Sequence, residues 1–456
     1  MNKEKGNHPA EETLRPWLIN MIWEGGLATV FVTLTSGAFL TGLALFMGAN
    51  DFEIGLLVAI PNIFQVLQLP SAYLIDSTGK RKGITVWGSV IGRQICWLVI
   101  PLILLAGAWR LPAFILIMAI ASTAIMPATV GWMAWMADLV PERIRGRYFG
   151  SRNVAVAIST TTTALLGGYI LDHFRARGDE SIGFSIIVGA ACLFALAAVI
   201  LLSRVPDRKI IKEKMQVGWS YLVRPLKDLK FRQLLKNFVA WNLAIGISAP
   251  FFAAHMISNL KMSFTQIAFY SVLFNLAVVA FNKWWGRLVD HFGCKPVAAF
   301  CAFGISMIPM IWWIPRADNF TILYFEAAYS GLLWAGFNLA AFNIPIVHSP
   351  REERTVYLAT FAMLTGSAFF LSSLLGGALA ENWNHIHWAL GRQTIVNYHL
   401  LFAISSLLRL MAAFYILAFQ TSREKEMPAL IGYIGSSVVK WFADGQQIFI
   451  DIIKRK

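Results

Sequence analysis

The residues of this chain with the most chemistry to offer are isolated carboxylates inside apolar runs. Glu326 is followed by Ser330, Trp334 and Asn338 at intervals of four, with Tyr329 beside it. Residues three and four apart share a helix face, so one stripe would offer a charge, a hydroxyl, a ring and an amide. An ionised carboxylate at mid-bilayer costs roughly 2.5–3.5 kcal/mol even on the lenient insertion scale, so such a stripe should turn toward a cavity or another helix. Glu24 stands in a second apolar run beside Gly25-Gly26, where missing side chains let a helix or ligand approach. Withdrawn from water, either carboxylate could take up and release a proton. The plainer readings are a water-facing acid near a span end for Glu326, and an acid favoured by the helix dipole for Glu24.

Further polar residues interrupt other apolar runs: Asn62 and Gln65 three apart, Asn242, His255, Asn275, and Trp132 with Trp135. Amides both donate and accept, which suits hydroxyl-rich, amide or zwitterionic solutes, although interhelical hydrogen bonding is their commoner task in membranes. The tryptophans would stack on a ring or serve the interfacial belt. Arg93 and Arg409 fall near mid-span, where each must pair, snorkel or reach inward. Lys283, next to Trp284-Trp285, reads as an interface anchor.

The elements that position these groups follow from composition. Of 456 residues 57% are hydrophobic and 14% charged, too much apolar surface for a water-soluble core, so the chain belongs in a bilayer. Twelve spans are predicted, at 17–48, 53–75, 83–107, 112–138, 147–171, 182–203, 236–258, 264–289, 296–315, 320–347, 355–380 and 397–420. No removable signal peptide is read in the first residues. The +14 net charge follows loops and not a surface patch, which argues against nucleic acid. Arg110, Arg175, Arg177, Lys261, Arg316 and Arg392 fall on one side, and nearly all other Lys and Arg on the other, with both termini, so that side is expected to be cytoplasmic. Cys96, Cys192, Cys294 and Cys301 have neither CxxC spacing nor an extracellular pairing, which disfavours disulfide and zinc frameworks.

The domains expected are a cytoplasmic tail over 1–16, a six-helix bundle over 17–203, a basic linker over 204–235, a second bundle over 236–420 and a tail over 421–456. The linker reads as a tether on anionic headgroups. Ile431, Ile434, Val438, Trp441, Phe442, Phe449 and Ile452 recur near helical spacing, as in an interfacial helix.

The chain looks duplicated. Asp76-Ser77-Thr78-Gly79-Lys80-Arg81-Lys82 is matched by Asp290-His291-Phe292-Gly293-Cys294-Lys295, and Leu165-Leu166-Gly167-Gly168 by Leu374-Leu375-Gly376-Gly377. Pro141 and Pro350 open equivalent charged loops, all in the same order and at nearly one offset. Twelve spans in two halves, with an Asp-x-x-Gly-basic loop after spans two and eight, resemble the major facilitator superfamily of secondary transporters. The second copy keeps the leading glycine, Gly286, where the first has Ala72. The resemblance implies an all-α membrane protein of two pseudo-symmetric six-helix bundles. It implies a conformational latch of Asp76, Gly79, Lys80 and Arg81, of Asp290, Gly293 and Gly286, and of the charged loops with Asp138, Arg143, Arg147 and Arg354. It also implies a cavity lined mainly by spans one, four, seven and ten. Span four has no arginine before Arg143 and span five no proline, two departures from the pattern of the family's drug–proton antiporter subset that weaken, without excluding, a drug-export reading.

The resulting expectation is a secondary transporter of the cytoplasmic (inner) membrane. It would move a small organic solute by alternating access, with protons as the coupling ion. Drug, metabolite or lipid export, or solute sensing without transport, are the alternatives. The expected partners are solute, lipid and proton; no cofactor, catalytic residue or metal is called for, and a monomer is expected.

Overall fold

A computed structural model of the protein describes residues 11–105, 107–207, 219–350, 353–418 and 427–436. Among the described residues, twelve helical spans are long and apolar enough to cross a membrane: Pro16–Phe46, Asp51–Ile75, Arg81–Leu104, Arg110–Leu139, Arg143–Ala176, Glu180–Arg204, Leu229–Ser258, Phe264–Phe292, Cys294–Ile311, Ile322–His348, Arg354–Asn382 and Asn397–Ala418. We number them 1 to 12. Most ends fall within a few residues of the sequence expectation. Span 7 begins earlier, at Leu229, because the Asp228 side chain accepts the N–H of Lys230 at 3.0 Å and of Phe231 at 3.2 Å and caps the helix there. Between spans 11 and 12 the chain forms a hairpin that periodicity did not announce, His387–Leu390 paired antiparallel with Gln393–Val396. Met427–Ser436 is helical; the rest of the expected interfacial helix, and linker residues 208–218, lie outside the described residues.

The duplication is a duplication of packing. In the repeated Leu-Leu-Gly-Gly, a Cβ on Gly167 would meet Leu34 of span 1 at 2.8 Å, and one on Gly376 would run into Ile247 of span 7: each first glycine admits the leading span of its own half. Each second glycine admits the other half. A Cβ on Gly168 would meet the Phe264 carbonyl oxygen at 2.8 Å, and one on Gly377 the Phe52 Cα at 2.9 Å. The leading spans share a further feature. Span 1 is interrupted between Leu34 and Gly37, and span 7 between Gly246 and Phe251. Broken helices at membrane depth are tolerated where protein or a cavity surrounds them.

The paired turns are alike too. Gly79 (φ 68°) and Gly293 (φ 98°) each end a span in the left-handed region, and their N–H groups donate to Ile75 O at 2.8 Å and Val289 O at 2.9 Å. A side chain at either position would be strained there, which is why the motif holds a glycine.

Candidate functional site

The halves meet along two seams, span 2 against span 11 and span 5 against span 8. Among the described residues, every side-chain hydrogen bond that crosses between halves lies at one end of the bundle, here the Asp51 end. Asp51, at the start of span 2, accepts from Tyr398 OH at 2.5 Å and Asn397 Nδ2 at 2.9 Å, and its own N–H donates to Glu381 Oε2 at 3.0 Å. Asp172, late in span 5, accepts the N–H of Phe264 and of Thr265, each at 2.8 Å, and so caps span 8 from the other half. At the opposite end, which carries Gly79 and Gly293, no described ion pair joins the halves. Arg81 contacts Asp138 of the first half and lies 3.0 Å from Asp207, just beyond span 6, while Arg224 of the linker pairs with Glu353 of the second half.

Below the Asp51 end lies a cavity of about 420 Å³ between spans 1, 5 and 8. Thr29, Thr33, Ser36, Thr160, Thr161, Ser271 and Asn275 set six hydroxyls and an amide into a lining that is otherwise apolar. Phe39 and Phe264 also line it, with ring centroids 6.3 Å apart and planes nearly parallel at 8°. The break in span 1 opens onto this space. Ser36 leaves the first N–H groups of helix Gly37–Phe46 uncapped, because its hydroxyl donates back to Val32 O at 2.6 Å.

Glu24 is buried within the first half. Arg152 of span 5 approaches it at 3.7 Å, and the Arg152 guanidinium lies 4.5 Å over the Trp132 ring. Arg93 of span 3 acts on the same carboxylate at electrostatic range. Glu326 is buried in the second half. Tyr270 OH donates to its Oε2 at 2.8 Å, with Ser330, Trp312 and Arg409 nearby. Arg409 Nη2 donates to Ser248 Oγ at 3.1 Å. The two mid-span arginines therefore each lie within electrostatic range of one buried carboxylate. His255 belongs to the second cluster, its ring 5.0 Å from that of His399 and edge-on to it.

The expected residues thus separate. Glu24 and Trp132 come together in one cluster, and Glu326, Ser330 and His255 in another. Asn275 lines the cavity, and its Nδ2 donates to Ser271 O at 2.8 Å. Gln65 donates to Asn62 Oδ1 at 3.3 Å, and both pack against Gly366 on the span 2–11 seam. Asn242 bonds back to Phe238 O at 2.8 Å. The span 10 stripe is not one surface. Glu326 and Ser330 point into the second half, Trp334 is half-buried and Asn338 exposed, while Tyr329 turns to span 9 and donates to Gly304 O at 3.2 Å. One step of three residues rotates a side chain about 60° from its neighbour, enough here to change helices.

Of the latch residues, Arg81 and Asp138 meet, Gly286 lies against Leu339, and Lys80, Arg143, Arg147 and Asp290 are exposed. Arg354 is half-buried, and the side chain of Asp76 lies outside the described residues. Sequence reasoning passed over Asp51, Asp172, Tyr398 and Arg152. The first two looked like ordinary acids at helix ends, and Arg152 like one more basic residue beside a charged loop.

Two bundles of six membrane spans, related by internal repetition and enclosing a cavity at their seam, define a transporter architecture. A Major Facilitator Superfamily profile matches residues 25–253 and again 242–443. The chain belongs to that superfamily and is a membrane transporter of its type. Over 125 residues it is 29% identical to the MFS-type transporter phomT of Diaporthe leptostromiformis, a stretch that makes up 27% of this chain and spans only 21% of that relative. A crystal structure of a mutant nucleoside transporter NupG superposes with a TM-score of 0.71 at 13% identity, covering 89% of this chain and 100% of that one. The D-xylose-proton symporter gives 0.66 at 14%, covering 89% and 97%, and the inward-open xylose transporter XylE from E. coli 0.61 at 15%, covering 92% and 99%. At these identities the likeness is one of fold.

Proposed function

We propose that the protein moves a small polar organic solute across the cytoplasmic membrane by alternating access, with a proton as coupling ion. The observation that carries this reading is the asymmetry of the seam: among the described residues, side-chain bonds between halves gather at the Asp51 end, directly above a cavity that carries several hydroxyls. A carrier that rocks about a central site needs two states, each held by contacts the other lacks. We assign the basic Gly79 end to the cytoplasm by the positive-inside rule, which makes this state closed outward. Proton coupling is supported by Glu326, a buried carboxylate that one tyrosine hydroxyl and the charge of Arg409 hold in place.

Labelling of Ser36→Cys, in protein whose four cysteines are replaced by serine, tests the state. An impermeant thiol reagent should reach it from the Gly79 side and be excluded from the Asp51 side; equal labelling from both sides would describe a pore. Proteoliposomes test the activity. Solute flux no greater than through protein-free vesicles, over sugars, nucleosides, amino acids and organic acids, would refute transport.

A further inference from the structure

Five buried polar atoms without a hydrogen-bond partner among the described residues belong to one cluster: Glu24 Oε2, Arg93 Nη1, Trp132 Nε1, Tyr148 OH and Arg152 Nε. They come from spans 1, 3, 4 and 5 and gather about Arg152. Its Nη2 is 3.7 Å from Glu24 Oε2, its guanidinium covers the Trp132 ring, and its Nε lies 2.8 Å from where a Cβ on Gly25 would stand. Glu24 and Tyr148 are only 2% and 6% exposed, whereas the Arg152 side chain keeps 18% open. Buried polar groups left unpaired are costly, and four donors and one acceptor in one place call for an occupant.

The charge of the cluster says what kind. Among the described residues Arg152 lies against Glu24 and Arg93 acts on it at electrostatic range, an excess of one positive charge in a membrane span, where an uncompensated ion is expensive. Water would satisfy the hydrogen bonds but not the charge. A carboxylate meets the unpaired donors and the charge together, since its two oxygens match the planar donor fork of arginine and its single charge completes the balance, while Glu24 Oε2, an acceptor, is left for a hydroxyl.

The position says where the rest of the solute goes. Thr29 and Val156 line the cavity, and each stands one helical turn from Gly25 and Arg152 respectively. Beyond them, the uncapped N-terminus of helix Gly37–Phe46 adds positive potential to the same space. We propose that the transported solute is a small hydroxylated monocarboxylate, whose acid group binds Arg152 and Arg93 and whose hydroxyls meet Thr29, Thr33, Thr160 and Asn275. This rests on the transport reading above and names the substrate class of that site.

The test uses purified full-length protein and thermal stability at matched ionic strength. Lactate, gluconate and glucuronate are compared with glucose, xylose, uridine and inorganic phosphate. At least one carboxylate should raise the melting temperature where the neutral solutes and phosphate do not. Arg152→Gln should weaken its apparent affinity by roughly tenfold or more, and Arg152→Lys, which keeps charge but not the flat fork, by less. Arg93→Gln provides a second variant, and the ligand-free melting temperature shows whether each is folded. Stabilisation by glucose, xylose, uridine or phosphate that Arg152→Gln leaves intact overturns the proposal, as does the absence of stabilisation by any of the carboxylates. Flux separates the two readings. Carboxylate binding that Arg152→Gln abolishes, without carboxylate flux in the unmodified protein, defeats transport and leaves the anion site standing. Neutral-solute flux indifferent to Arg152→Gln defeats the anion site and leaves transport standing.

Discussion

The Asp172 carboxylate accepts the backbone N–H of Phe264 at 2.8 Å, and its second oxygen takes that of Thr265 at the same distance. An acid from one half thus caps a helix of the other. Helix caps and charges at helix N-termini contribute about 1–2 kcal/mol each in favourable settings. Asp172→Ala removes both bonds and should shift the equilibrium toward the state open at the Asp51 end by about 1–2 kcal/mol, roughly five- to thirtyfold in population. Labelling of Ser36→Cys from the Asp51 side reads this directly; unchanged exclusion would show that the seal rests on other contacts.

The repeated glycine pairs separate conformation from stability. A methyl group on Gly168 would press on the Phe264 backbone across the seam, whereas one on Gly376 would press on Ile247 within the second half. Gly168→Ala should open the Asp51 end with little change in melting temperature. Gly376→Ala should lower the stability of the folded protein by about 1–3 kcal/mol, the usual cost of overpacking. If both variants melted alike and labelled alike, the division of labour between the two glycines would be wrong.

Glu326 offers a functional separation. Glu326→Gln keeps the size and can still accept from Tyr270, but it removes the exchangeable proton and the charge opposite Arg409. It should abolish accumulation driven by a proton gradient and spare solute exchange between the two sides of a vesicle. Accumulation at the unmodified rate would take Glu326 out of coupling, whatever its structural role.

Much of this was readable before any fold was known. The spans follow from apolar run length, because a bilayer core of about 30 Å demands about twenty such residues in a helix. Repetition along the chain announced two halves, and the glycines at 79 and 293 announced turns that only a residue without a Cβ enters freely. Glu24 and Glu326 drew notice because an acid in an apolar run is costly enough to need a reason. What stayed hidden is pairing. Nothing local to Arg152 distinguishes it from the loop arginines at 143 and 147, which remain exposed. It differs only because Gly25, Trp132 and Glu24 stand opposite it.

Taken alone, then, the amino-acid order determined the number of membrane crossings, their internal repetition and the side that carries positive charge. Each of these is a property of neighbours along the chain, set by transfer energies and helical period. The tertiary structure decided which groups face one another. Asp51 finds Tyr398, Asp172 finds Phe264, and Tyr329 turns from Glu326 toward Gly304. Hydrogen bonds and charges act over a few ångströms in space, and packing alone brings residues so far apart in the chain within that range.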